Sequence, residues 1–115
     1  MVVQALAPVF LGAKVVSVRH TGDTIPAGTK RLETLPEPFT SVTSDGPGLV
    51  VSHFTNGDKS YLMLVNRTID VRQKVTVEHG PGVRRIMQDG SSIDADAYSS
   101  TLTVDPGDCL IYQWK

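Results

Sequence analysis

The sequence predicts an all-β domain, an antiparallel Greek-key sandwich of about seven to nine short strands. Three observations carry this. Val (15), Thr (11) and Ile (5) make up 31 of the 115 residues, and β-branched side chains favour a pleated, half-buried surface. The helix formers Ala (6) and Glu (3) are scarce. Turn signals built on Gly, Pro, Asn and Asp recur at roughly 8–12-residue spacing, the rhythm of a sandwich or small barrel.

The first thirteen residues form an apolar lead-in, with Val2, Val3, Leu6, Val9, Phe10 and Leu11 in need of cover. Pro8 would end any helix there. The stretch has no Lys or Arg before its apolar run, and it is much shorter than the ~20 residues that span a bilayer, so it reads as neither signal peptide nor membrane anchor. The sandwich itself is expected over residues 14–115. Residues 14–20 (KVVSVRH) read as a strand and residues 21–29 (TGDTIPAGT) as a polar loop. A short strand is expected at 30–35, closed by Pro36 and Pro38, and a weakly alternating one at 39–43. Asp45-Gly46-Pro47-Gly48 is a strong turn signal.

The middle of the chain is clearer. Residues 49–54 (LVVSHF) and 60–66 (SYLMLVN) flank an Asn56-Gly57 pair, which supplies the positive-φ residues a hairpin loop needs. In residues 71–78, Val71, Gln73, Val75 and Val77 share one face, and Arg72, Lys74, Thr76 and Glu78 share the other. That is the period-two pattern of a strand with one wet face. After Gly80-Pro81-Gly82 a strand is expected at 83–88, then a turn at Asp89-Gly90-Ser91-Ser92. Residues 101–104 and 108–114 (DCLIYQW) close the domain across Asp105-Pro106-Gly107. Short turns imply antiparallel neighbours.

Composition narrows the chemistry. Eleven Lys and Arg against twelve Asp and Glu give a net charge of −1, so no basic surplus exists to hold a phosphate backbone, and nucleic acid is not an expected partner. His20, His53 and His79 lie 33 and 26 residues apart, without the close spacing of metal ligands. No metal and no cofactor is expected. Cys109 sits beside Leu110 and Ile111 in an apolar strand, where a thiol is a small hydrophobe. No G-x-S-x-G is present, and Gly80-Pro81-Gly82 is not a phosphate loop. Asp94, Asp96, Asp105 and Asp108 read as turn chemistry in preference to paired catalytic acids. No catalytic residue is expected. Leu110, Tyr112 and Trp114 share one strand face, which reads as core in preference to a sugar platform. Tyr98, in the polar stretch DADAYSS, is the more plausible exposed ring. Asn66-Arg67-Thr68 fits the N-glycosylation triplet.

Three stretches taken in order carry a family resemblance: the apolar lead-in followed by VVSVRHTGDTIPAGT, then SYLMLVNR after a strand and an Asn-Gly turn, then LTVDPGDCLIYQW at the end. Together they resemble the C-terminal β-sandwich appended to bacterial glycoside hydrolases with a (β/α)₈ catalytic barrel. The resemblance implies a non-catalytic accessory domain. The catalytic carboxylates of such enzymes belong to the barrel, so none transfers to this chain. It implies that residues 1–13 are the connection from an upstream catalytic domain, with Val3, Leu6, Val9, Phe10 and Leu11 at the interdomain contact. It also implies a periplasmic or secreted location if the parent degrades polysaccharide.

Two other readings compete. A carbohydrate-binding module would place exposed rings beside polar groups, and Tyr98, Asn66 and Arg67 are its candidates. A small adhesion or assembly domain would pair through a sheet edge.

Overall fold

The strand-forming pattern of the sequence is realised as nine β-strands, with no helix among the described residues. In the computed structural model the described residues are 12–22, 27–68, 70–87, 91–94 and 99–114. The strands are β1 (Lys14–His20), β2 (Phe39–Ser44), β3 (Leu49–Asn56), β4 (Lys59–Asn66), β5 (Gln73–His79), β6 (Arg84–Ile86), β7 (Ser92–Asp94), β8 (Ser99–Val104) and β9 (Cys109–Trp114). They form a six-stranded sheet in the order β1-β3-β4-β9-β6-β7 and a three-stranded sheet in the order β2-β5-β8. Every strand pair is antiparallel. Sequence neighbours pair only in the β3–β4 and β6–β7 hairpins, so the other connections cross between the sheets.

Alternation places the core. Leu49 and Val51 of β3, Leu62 and Leu64 of β4, and Leu110, Tyr112 and Trp114 of β9 face Phe39 and Val42 of β2, Val75 and Val77 of β5, and Val104 of β8. Full burial of one such side chain contributes about 1.5–3 kcal/mol. Phe39 is the centrepiece, meeting Tyr112 edge-on at 5.6 Å and Trp114 at 5.1 Å between ring centroids. Such ring pairs add about 0.5–1.5 kcal/mol beyond area burial. On the opposite face of the six-stranded sheet Phe54, Tyr61, Ile86 and Ile111 make a second buried cluster, with Ala13, Met63 and Cys109 against it. Strands β4 and β9 are thus buried on both faces, which is why they read as apolar runs without clean alternation.

Strand β6 covers only part of the expected 83–88, β5 starts two residues after Val71, β8 starts at Ser99 ahead of the expected 101, and three further expectations change more. Residues 30–35 do not form a strand. One parallel bridge joins Arg31 to His20, through His20 N–H donating to Lys30 O and Leu32 N–H to His20 O, both at 2.9 Å. Leu32 and Leu35, three apart, both pack on the inter-sheet core, which a period-two strand cannot arrange. The second difference is β7, which starts at Ser92 inside the expected turn. It is three residues long, Ser-Ile-Asp, and pairing with β6 alone defines it. The third is the β3–β4 loop. Asn56 pairs with Lys59, so the loop is Gly57-Asp58, with Gly57 at φ 64°. That is one residue beyond the Asn-Gly pair.

Candidate functional site

Asn66 and Arg67 close β4 at one end of the sandwich, and the surrounding sequence explains why a polar knot forms there. Strand β5 opens with Gln73, an amide on its buried face. Asn66 and Gln73 are both fully buried, so each amide must find partners inside the protein. Asn66 Nδ2 donates to Val71 O at 2.7 Å and Val104 O at 2.9 Å. Its Oδ1 accepts from Thr68 N–H, Thr68 Oγ1 and Gln73 Nε2, at 3.1, 2.7 and 2.6 Å. Gln73 Nε2 also donates to Gly48 O at 2.8 Å, and Gln73 Oε1 accepts from Gly48 N–H at 3.0 Å. The two amides therefore tie β4, β5, the end of β8 and the β2–β3 turn together. Asn66 presents no free amide to a glycan, and its Nδ2 is enclosed within the fold.

Arg67 lies beside this knot and clamps two backbone segments. Its Nη1 donates to Thr21 O at 2.7 Å and its Nη2 to Pro47 O at 2.9 Å. The segments meet closely. Thr21 N–H donates to Leu49 O at 3.0 Å, and Leu49 N–H donates to Thr21 Oγ1 at 3.0 Å. A Cβ on Gly22 would overlap the Pro47 carbonyl, and one on Gly48 would overlap the Thr21 carbonyl. Gly48 also sits at φ 137°, a region open to glycine. His20 Nδ1 is 3.3 Å from Arg67 Nη1. Burial first, and then the Arg67 charge, hold the His20 pKa below its usual value.

A cleft of about 650 Å³ opens beside the clamp, lined in part by Thr43, Ser44, Asp45 and Arg67. It offers hydroxyls, a carboxylate and a guanidinium, the groups that hold a sugar. It offers no ring. Phe39, Phe54, Tyr61, Tyr112 and Trp114 are all buried, so no aromatic platform is exposed among the described residues. Of the three sugar-binding candidates, Arg67 reaches this cleft, Asn66 faces inward, and Tyr98 lies outside the described residues. Val3, Leu6, Val9, Phe10 and Leu11 lie outside them too.

Reactive groups are muted elsewhere. Burial, and then the Asp108 carboxylate, push the Cys109 thiol above its usual value, which makes its thiolate scarce at neutral pH. No group of three or more His, Cys, Asp and Glu able to hold a metal ion occurs among the described residues. Among the described residues no helix is long and apolar enough to cross a membrane.

Sequence reasoning missed Arg85. It lies opposite Tyr112 in the β6–β9 ladder, and direct cross-strand partners share a face, so this cation is on the inter-sheet side. Its Nε is enclosed with no hydrogen-bond partner among the described residues, which costs about 1–3 kcal/mol. The period-two reading of Arg84-Arg85-Ile86 could have found it, since one of two adjacent arginines must face inward.

Comparison with protein-family models, curated proteins and solved structures finds no match to this chain.

Proposed function

We propose that this chain is a non-catalytic accessory β-sandwich domain of a glycoside hydrolase, and that it packs against a catalytic barrel outside this chain. The family resemblance supplies the enzyme class. The surface of β1 supplies the physical support. This strand directly follows the apolar lead-in and lies at the edge of the six-stranded sheet. Val15, Val16 and Val18 on it are 67, 58 and 43% exposed. A soluble domain gains nothing from three valines in water on an open edge, and such surfaces mark contact sites. Residues 1–13 and β1 together would form the docking side, with the lead-in contributing Val3, Leu6, Val9, Phe10 and Leu11.

The size of the native protein tests this reading. An extract of the source cells is blotted with an antibody raised to this chain. A band several times heavier than 12.4 kDa is expected. A band at that mass alone would contradict it and favour assembly through the β1 edge.

The second reading is a carbohydrate-binding module, and the Arg67 cleft is the observation that favours it. Its hydroxyl and carboxylate lining suits a neutral saccharide held without stacking. Titration of the chain with a panel of neutral polysaccharides tests it, and affinity weaker than millimolar would remove it.

A further inference from the structure

The flank of the sandwich opposite β1 holds a second concavity, of about 220 Å³, where β6 and β9 meet β8. Arg85, Thr103, Asp108, Ile86, Val104 and Leu110 line it. This volume is below the ~300–1,000 Å³ of pockets for drug-sized ligands, so a single small molecule fits and a polymer does not.

The lining is chemically mixed in an informative way. Arg85 turns toward the inter-sheet side, and its Nε is enclosed with no hydrogen-bond partner among the described residues. Its neighbour Arg84 is engaged, donating from Nε to Ser92 Oγ at 2.5 Å and from Nη2 to Ser92 O at 3.1 Å. The Arg85 Nε–H is an unmet donor among the described residues, and a carboxylate is the best match for a guanidinium because it can take two parallel N–H donors. Asp108, whose Oδ1 accepts from Cys109 N–H at 2.8 Å, sets the second condition. A carboxylate in the same wall repels a dianion such as phosphate, while it accepts hydrogen bonds from hydroxyl groups. Val104 and Leu110, on the same inter-sheet side as Arg85, supply apolar surface for C–H groups.

We infer that this concavity is a binding site for a small polyhydroxylated monocarboxylate, a sugar acid of hexuronate size. Arg85 binds its carboxylate, Asp108 accepts from its hydroxyls, and the apolar floor takes its C–H face. The inference does not rest on the docking role of β1 and stands or falls separately.

The test is an NMR titration of the full 115-residue chain, following the Arg85 Nε–Hε resonance. Glucuronate is expected to shift that resonance saturably. Glucose, which lacks the charge, and acetate, which lacks the hydroxyls, are expected to bind at least about tenfold more weakly. Arg85→Met, checked for an unchanged amide spectrum, is expected to lose about tenfold or more in glucuronate affinity. An unmoved Nε–Hε resonance would overturn the inference. So would acetate or phosphate binding as well as glucuronate, which would leave a simple anion site. If Arg85→Met fails to fold, Asp108→Asn decides. It is expected to strengthen phosphate binding relative to glucuronate, and an unchanged ratio would count against the site.

Discussion

Asn66 shows how much one residue can organise. Its side chain makes five hydrogen bonds inside the protein, reaching Thr68, Val71, Gln73 and Val104. Asn66→Ala strands several buried partners at once, each costing about 1–3 kcal/mol. Urea denaturation is expected to show a loss of about 3–5 kcal/mol, enough to threaten a domain whose whole stability is about 5–15 kcal/mol. A loss below about 1 kcal/mol would mean that the knot is looser than the distances say. Gly48→Ala should be similarly severe, because a Cβ there meets a backbone carbonyl and φ is positive. His20 gives the pH dependence. Its folded pKa lies below its usual value of about 6.5, so the unfolded chain binds that proton more readily. Its contribution is intact above about pH 6.5 and is lost as pH falls toward the folded value. An NMR titration should place the His20 midpoint below that of an unfolded peptide; a midpoint above it would contradict the Arg67 contact. Little of this knot was legible beforehand. Asn66 and Arg67 read in sequence as polar residues closing a strand and open to a ligand, whereas the groups that engage them include backbone carbonyls of Thr21, Pro47 and Val104, distant in sequence. Gln73 on an otherwise valine-bearing face was the readable clue.

At the level of elements, the strands with strong patterns were legible nearly to the residue. Strand β1 spans the expected 14–20, and β5 shows the expected alternation, with Lys74 and Glu78 outward and Val75 and Val77 inward. Elements defined by pairing alone were not. Strand β7, Ser-Ile-Asp, is too short to show a pattern, and residues 30–35 read as a strand while serving as a plug of two leucines. The two-sided burial of β4 and β9 makes a further prediction. Ile111→Ala and Leu62→Ala remove residues from opposite faces, yet both positions are almost wholly buried. Each should cost about 2–5 kcal/mol in denaturant midpoint analysis. A negligible cost for Ile111 would mean that the second cluster is not a true core. On β1 the opposite holds. Val16→Thr is expected to change the stability of the isolated chain by no more than about 0.5 kcal/mol, because the side chain is mostly in water there.

The whole molecule is asymmetric. Three strands of the six-stranded sheet share a core with the three-stranded sheet, while β1 stands at one edge and the β6–β7 hairpin at the other. The first edge carries exposed valines and adjoins the apolar lead-in. The second holds Arg85 and its small concavity. Fold class followed directly from composition and turn rhythm. The arrangement of strands in each sheet did not, because it depends on which strands meet across six chain crossings between the sheets. The docking role assigned to β1 is the central claim, and hydrogen exchange measures it most directly. Amides of residues 15–18 on the open side of β1 are compared in the isolated 115-residue chain and in the native protein purified from source cells. Fast exchange in the isolated chain and marked protection in the native protein are predicted. Equal exchange in both would contradict a docked edge.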